Sequence, residues 1–158
     1  MDCGAADGCD AFWEFVAAVD WPSRPSLEDV EKMMRTTYSA NQIKHFDGEY
    51  HRLAKRVRAT IEVALAQDEE IHFGGGDDHT FMDLPGELVG RGRAVYLDHV
   101  NDARKLATFG EGGVHEGFPY IFQPFDERLS GMRNAAAAAA AKPAPGLNYQ
   151  PYQQCDLI

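Results

Sequence analysis

The stretch from Ser39 to Gln67 constrains the fold of this chain more than any other. It opens on Ser39-Ala-Asn-Gln42, where a serine followed three residues later by a glutamine forms a capping box that starts a helix. Apolar residues then recur every three or four positions, which predicts one helix of roughly 25 residues. The apolar face consists of Ile43, Phe46, Tyr50, Leu53, Val57, Ile61 and Ala64. We interpret this helix as the centre of a helical bundle.

Three further segments have the spacing of shorter helices. Asp10 to Val19 is rich in aromatic residues, and a serine cap at Ser26 starts a second, short helix with an apolar stripe. Phe81 to Val100 predicts two helices or one kinked helix, with a break at 90–92 and with Asp83 as its cap. The sequence therefore predicts a mainly α fold, a compact bundle of four to five helices.

The last third of the chain has a different character. Residues 110–124 are rich in glycine, proline and aromatic side chains without a helical period, which indicates an ordered loop packed on the core, with a short strand at Tyr120 to Phe122. Seven alanines, Ala135 to Ala141, are followed by Lys-Pro-Ala-Pro-Gly and a polar end. We expect one helical domain over 1–133, frayed at 1–9, and an Ala-rich segment with a disordered C-terminal tail over 134–158.

The charge of the chain excludes some classes of partner. With a formal net charge of −10, the chain lacks the excess of Lys and Arg that binding to a phosphate backbone requires, so we expect no nucleic acid partner. No apolar run approaches the ~20 residues that cross a bilayer, and the acidic N-terminus does not resemble a signal peptide. Three cysteines near the two ends, Cys3, Cys9 and Cys155, show no metal-binding spacing. These features favour a soluble, cytoplasmic protein without a membrane partner; they leave its oligomeric state open.

The charges alternate in blocks along the chain. Residues 1–31 hold eight acids and one base, residues 32–58 hold two acids and seven bases, and residues 59–90 hold eight acids and no base. Four of the bases, Arg52, Lys55, Arg56 and Arg58, lie on the polar side of the long predicted helix. One interpretation of this strip is a basic docking surface. The other, which we favour, is a solvated helix face or a partner for the acidic first helix.

The stretch FGGGDDHTF, residues 73–81, is a candidate site. Asp77, Asp78 and His79, together with His72, offer oxygen and nitrogen donors suited to Zn, Mn or Fe. A phosphate loop is disfavoured, because two carboxylates would repel the anion. We favour a turn in which the glycines allow positive φ and an aspartate caps the following helix, and we therefore assign no metal or other cofactor.

Arg91, Arg93 and Tyr96 form a second candidate site that follows the glycine loop. Two guanidinium groups beside a phenol offer donors for a carboxylate or a phosphate. The alternative, which we favour, is that an arginine bridges to Asp77, Asp78 or Asp83 across a helix break.

The middle of the chain resembles a bacterial helical family of unknown function. Members of that family combine an N-terminal Phe-Trp helix with a Gly-Gly/Asp-Asp-x-x-Phe-x-Asp segment and then Gly-Arg-x-x-Tyr. The matching positions are Phe12, Trp13, Asp77, Asp78, Phe81, Asp83, Gly92, Arg93 and Tyr96. The sequence departs from the family pattern at His79 and at Pro85-Gly86. The resemblance implies a helical fold and a bacterial, cytoplasmic origin, and it implies no activity.

No arrangement of residues in the sequence strongly indicates catalysis. We therefore expect a non-catalytic intracellular acidic domain that binds another protein, as an immunity or inhibitor-type protein does when it neutralises a basic toxin or nuclease. One alternative is a metal-dependent hydrolase with ligands in the loop from His72 to His79. Another is a small-ligand sensor with an aromatic pocket lined by Trp13, Tyr96 or Phe118.

Overall fold

A computed structural model of the chain describes residues 7–67, 70–73 and 79–126. Within these ranges the protein is mainly α, with six α-helices and no strand, so the expected four to five helices are too few. The helices are α1 (Asp10–Val19), α2 (Leu27–Thr37), α3 (Ala40–Gln67), α4 (Leu84–Gly90), α5 (Arg93–His99) and α6 (Ala103–Glu111). The expected domain boundary at 133 and the expected tail over 134–158 lie outside the described residues.

Side-chain caps mark the starts of α2 and α3. Ser26 Oγ accepts a hydrogen bond from the Asp29 N–H at 3.1 Å, so the predicted cap of α2 is confirmed. At the start of α3 the Gln42 N–H donates to Ser39 Oγ at 3.2 Å, and the Ser39 N–H donates to Gln42 Oε1 at 2.9 Å. This reciprocal pair is the predicted capping box. The long helix extends through Gln67, where its apolar pattern stops, and residues 68–69 lie outside the described ranges.

Aromatic rings dominate the core between α1 and α3. Phe15 stacks on Phe46 with ring centroids 4.5 Å apart, and Trp13 lies 5.5 Å from Tyr96 of α5. Offset and tilted pairs at these distances add attraction beyond the area that they bury. The Tyr96 hydroxyl donates to the Leu53 carbonyl at 3.0 Å, which satisfies its polar end inside the core. The predicted apolar face of α3 is buried at all seven positions.

The region from residue 79 to 101 contains the predicted break. A π-helical turn, His79–Asp83, leads directly into α4. Asp83 occupies the predicted cap position before α4, but it has helical backbone angles and its side chain makes no cap hydrogen bond. Gly92, with φ 97°, separates α4 from α5 in a conformation that side chains rarely adopt. The prediction of two helices is thus confirmed.

Two elements after residue 101 differ from the sequence-based expectation. Helix α6 is absent from the predicted set, although Asp102 caps it by accepting from the Arg104 and Lys105 N–H groups at 3.1 Å. The aromatic segment Phe118–Phe125 is a 3-10 helix and not a strand at 120–122. Its side chains at Phe118, Ile121 and Phe122 are buried, so the expected packing of this segment on the core is confirmed.

None of the helices in the described ranges combines the length and the apolar character that crossing a membrane requires.

Candidate functional site

The most unusual side chain of the fold is Glu87, a carboxylate with no exposed surface. Its Oε2 accepts from Trp21 Nε1 at 2.7 Å and from Arg24 Nη1 at 2.9 Å. Its Oε1 accepts from Arg24 Nη2 and from Arg91 Nε, the latter at 3.0 Å. Trp21, Arg24, Glu87 and Arg91 are called the Glu87 cluster below. Because every donor finds an oxygen, the burial of the charge is compensated.

Close packing brings the cluster together. Trp21 belongs to a 3-10 turn, Trp21–Ser23, that directly follows α1, and α4 approaches it along a glycine. A Cβ atom at Gly90 would lie 2.6 Å from Trp21 Cδ1, and one at Gly117 would lie 2.9 Å from Trp21 Cη2. Side chains at these two positions would therefore push the indole away from Glu87. Arg24 itself has φ 54°, an uncommon value for a residue with a side chain.

The hydrogen bonds keep Glu87 ionised in spite of its burial. Burial raises the pKa of the carboxyl, but the donors from Arg24, Trp21 and Arg91 lower it by more, so the pKa lies below its ordinary value. The same contact raises the pKa of Arg24 above its ordinary value. At neutral pH the cluster holds one negative and two positive charges.

The two arginines extend from the buried carboxylate to the surface. The side chains of Arg24 and Arg91 are 32% and 37% exposed, whereas Glu87 is 0% exposed. The Arg24 guanidinium lies 5.8 Å from the centre of the Trp21 ring, and that of Arg91 lies 5.9 Å from the centre of Phe109. The outer side of the cluster is therefore a pair of cations over aromatic rings.

A surface depression lies next to Phe109, between α5 and α6. It has a volume of about 420 Å³ and is wide open to solvent. Its charged groups include a pair in which Lys105 Nζ lies 2.7 Å from Asp98 Oδ1. His99 Nδ1 lies 2.9 Å from the Val95 carbonyl oxygen. The lining residues are Asp98, His99, Arg104, Lys105, Thr108 and Phe109.

A second buried carboxylate, Glu49, lies on α3. Arg52, one turn further along the same helix, donates from Nε to Oε2 at 3.0 Å and from Nη2 to Oε1 at 2.6 Å. The Cys9 N–H donates to Oε1 at 3.3 Å, which links the start of α1 to α3. The sequence pattern placed most polar residues of this helical segment in water, yet Glu49 is only 6% exposed.

Arg93 fastens the residues before α1 to α5. Its Nη1 lies 2.7 Å from Asp10 Oδ1, and its Nη2 pairs with the carboxylate of Asp7. The hydrogen bond from Arg93 lowers the pKa of Asp7. Trp13 Nε1 donates to the backbone oxygen of Asp7 at 2.6 Å, so this short segment is held by both its side chain and its backbone.

The structure separates the three residues of the predicted anion site. Arg91 belongs to the Glu87 cluster, whereas Arg93 pairs with Asp7 and Asp10. Tyr96 is fully buried among aromatic side chains and has no surface for a ligand. The favoured interpretation names Asp77, Asp78 or Asp83 as the acid; the first two lie outside the described residues, and the acids found on Arg91 and Arg93 are Glu87, Asp7 and Asp10.

The glycine-loop site is only partly visible. Asp77 and Asp78 lie outside the described residues, so neither the turn nor the metal interpretation is tested. His79 is half-buried in the π-helical turn and His72 is exposed. In the described part of the chain, no group of three His, Cys, Asp or Glu side chains is placed to hold a metal ion.

The basic strip of α3 has several different roles. Arg52 is bound to Glu49, Arg58 donates to the Phe81 carbonyl at 3.3 Å, and Lys55 is exposed. Arg56 Nη1 is buried without a hydrogen-bond partner within the described ranges. Arg52 is held by Glu49 of the same helix and Arg58 by the Phe81 carbonyl, so the strip does not form a continuous basic docking surface.

Glu87 escaped the sequence analysis. The available signal was a single charged residue inside the otherwise apolar run Leu84-Pro-Gly-Glu-Leu-Val89. A charged residue surrounded by apolar neighbours in this way is a candidate for a buried, paired charge. Its partners Trp21 and Arg24 are 66 and 63 residues away in the chain, so no local pattern connects them.

Comparison with known proteins identifies a family but not an activity. No curated protein and no solved structure is significantly similar to this chain. The model of the family described as "Protein of unknown function (DUF4240)" matches residues 9–136, about 80% of the chain. This agrees with the resemblance to a helical family of unknown function that the Phe-Trp and Gly-Arg-x-x-Tyr segments indicate. The chain therefore belongs to the DUF4240 family.

Proposed function

We propose that this chain is a non-catalytic domain that binds another protein through the exposed carboxylates of α1 and α2. The partner surface is basic, as in a toxin or nuclease that an immunity or inhibitor-type protein neutralises. Binding of this kind depends on charge complementarity, which accelerates association and discriminates against wrong partners.

One observation carries the proposal. Between residues 7 and 31 there are seven acids and a single base, Arg24. Arg24 is bound to the buried Glu87 and pairs with none of these seven acids among the described residues. Of these acids, Glu14, Glu28 and Asp29 are exposed and have no bonded cation among the described residues. Because Arg24 is bound to Glu87, these three carboxylates keep their negative charge, and the nearest base along α2 is Lys32.

The acids also lie on regular, well-anchored elements. Glu14 lies on the exposed side of α1, one turn after Asp10, while the opposite side of α1 is buried in the aromatic core. Glu28 and Asp29 lie in the first turn of α2, where negative charge also suits the positive end of the helix. Carboxylates on rigid helices lose little conformational freedom when they meet a partner.

The experiment compares two variants with the same change in charge. The first is Glu14→Gln/Glu28→Gln/Asp29→Asn, on the proposed surface. The control is Glu62→Gln/Glu111→Gln/Glu116→Gln, which removes three exposed carboxylates elsewhere. Three proteins are compared: the two variants and the chain that keeps all its carboxylates. In each of them a photo-crosslinking residue replaces residue 32 of α2, and crosslinked proteins are identified in cells of the source organism.

The expected result is a specific crosslinked partner with a basic surface. With the purified partner, the association rate should fall by about 10-fold or more in the first variant and change little in the control, and added salt should reduce the difference. The proposal is wrong if no crosslinked protein loses affinity selectively in the first variant. It is equally wrong if the two variants lose affinity equally, because net charge alone would then explain the effect.

A further inference from the structure

We propose that Arg24 and Arg91 together bind an oxyanion, a carboxylate or phosphate group, at the surface end of the Glu87 cluster. This site is distinct from the acidic surface of α1 and α2, and it takes a ligand of opposite charge. Failure of one proposal therefore does not decide the other.

The first argument is a count of hydrogen-bond donors. A guanidinium has five N–H donors and can bind an anion through a two-donor edge. Arg24 approaches Glu87 through its two terminal nitrogens, Nη1 and Nη2, which leaves its Nε side without an acceptor among the described residues. Arg91 approaches Glu87 through Nε and Nη2, which leaves its Nη1 without an acceptor among the described residues. Each arginine thus retains donors for a second oxyanion.

The second argument is that both guanidiniums are already held in place. Arg24 Nη2 and Arg91 Nε bind the same oxygen, Glu87 Oε1, so the two groups are immediate neighbours. Glu87 is fully buried and is also fixed by Trp21. An anion that binds here does not have to order two long side chains, which is the main entropic cost of binding to surface arginines.

The third argument is the balance of charge. One bidentate arginine and the Trp21 N–H already supply donors to both oxygens of Glu87. The second arginine adds a positive charge that no further carboxylate of the described residues contacts. Two cations on one anion repel each other, and a second anion on their outer side would relieve that repulsion. The exposure of both side chains, about a third of each, allows access from solvent.

The adjacent surface has room for the rest of a ligand. Arg91 lies over Phe109, which also lines the open depression between α5 and α6. Arg104 and Lys105 on its rim add positive charge, and Asp98 opposes them. A ligand that carries its oxyanion on a larger body can place that body against Phe109.

The test follows the Nε–H resonances of arginines in the ¹⁵N-labelled, unmodified chain by NMR. Inorganic phosphate and acetate are titrated separately, with chloride at matched ionic strength as the reference. Arg24 and Arg91 should shift in a saturable way, with half-saturation at or below about 10 mM. Arg35, an exposed arginine paired with Glu31, is the internal control and should not saturate. Saturation by one anion alone identifies phosphate or carboxylate as the source of the oxyanion.

A substitution gives a second, independent measurement. Arg91→Lys keeps the charge but removes the planar two-donor edge, so binding should weaken about tenfold or more, while Arg35→Lys should leave it unchanged. The proposal is overturned if neither anion produces saturation, if chloride produces the same shifts, or if Arg91→Lys binds as tightly as the unmodified chain. A retained far-ultraviolet spectrum and unfolding transition show that the variant is folded.

Discussion

Glu87 and Glu49 are both buried carboxylates held by arginines, but they connect the fold in different ways. Glu49 receives its arginine from the same helix, three residues away, and it also accepts from the Cys9 N–H at the start of α1. Glu87 collects its donors from a 3-10 turn, from the residue after that turn and from the end of α4. The Glu49–Arg52 pair lies within one helix and mainly stabilises that helix locally. The Glu87 cluster holds together segments more than 60 residues apart.

The largest effect is expected from Glu87→Ala. Removing the carboxylate leaves two arginines and the Trp21 N–H without an acceptor, in a site where Glu87 has no exposed surface. We expect the free energy of unfolding to fall by about 3–5 kcal/mol, measured by urea denaturation. Glu87→Gln keeps the shape of the side chain and removes its charge, so its free energy of unfolding should lie between those of the unmodified chain and of Glu87→Ala. A loss below about 1 kcal/mol would mean that the cluster does not hold the segments together.

Glu49→Ala should have a smaller effect. Glu49 holds one arginine of its own helix and the Cys9 N–H, whereas Glu87 holds two arginines and the Trp21 N–H, so removing Glu49 leaves fewer donors without an acceptor. We expect a loss of about 1–3 kcal/mol in the same denaturation assay. If Glu49→Ala proves as costly as Glu87→Ala, the contrast between a local and a long-range carboxylate is wrong.

The contribution of Glu87 should depend on pH in a defined direction. Its pKa in the folded protein lies below the ordinary glutamate value of 4.5, so the ionised form stabilises the fold above that value. As the pH falls below 4.5 and through the folded-state pKa, this stabilisation is lost. The difference in unfolding free energy between the unmodified chain and Glu87→Gln should therefore shrink between about pH 7 and about pH 3. A difference that stays constant over this range would show that ionisation of Glu87 contributes nothing.

The smallest effect is expected from Glu31→Ala, because Glu31 is the most exposed of the three carboxylates compared. Glu31 and Arg35 form a pair at 2.8 Å on the surface of α2, with side chains 35% and 54% exposed. Exposed pairs at this spacing contribute little, so the loss should stay below about 0.5 kcal/mol. Thermal and urea unfolding of this variant provide the baseline for the two buried carboxylates. A loss as large as that of Glu49→Ala would show that burial does not set the order.

Local chemistry made the first half of the fold predictable. The capping box at Ser39 and Gln42, the cap at Ser26 and the spacing of apolar residues on α3 all act within a few positions of one another. Each signal is complete in the sequence itself, and each is found in the structure. Helix α6 escaped prediction because it buries only Leu106 and Gly110, too few residues to show a period, although Asp102 was a usable start signal.

The arrangement of charged residues could not be predicted in the same way. Arg91 and Arg93 were recognised as arginines that pair with acids, but nothing near them in the sequence indicates Glu87 for one and Asp7 with Asp10 for the other. Such pairings depend on which helices pack together, and that follows from the whole core. The strand at 120–122 failed for a related reason, because alternating aromatic residues fit a strand as well as a 3-10 helix packed on a core.

The contacts of Asp7 have a practical consequence for where the chain can be cut. The family match begins at residue 9, yet Asp7 binds both Arg93 and the Trp13 indole. A shortened protein that starts at residue 9 would retain the whole matched segment and the Arg93–Asp10 pair, but it would lose the contacts of Asp7 with Arg93 and with the Trp13 indole. Proteases would then find an easier entry at this end of the bundle. Expression boundaries and affinity tags for this protein therefore belong before residue 7, two residues or more outside the region that the family match marks.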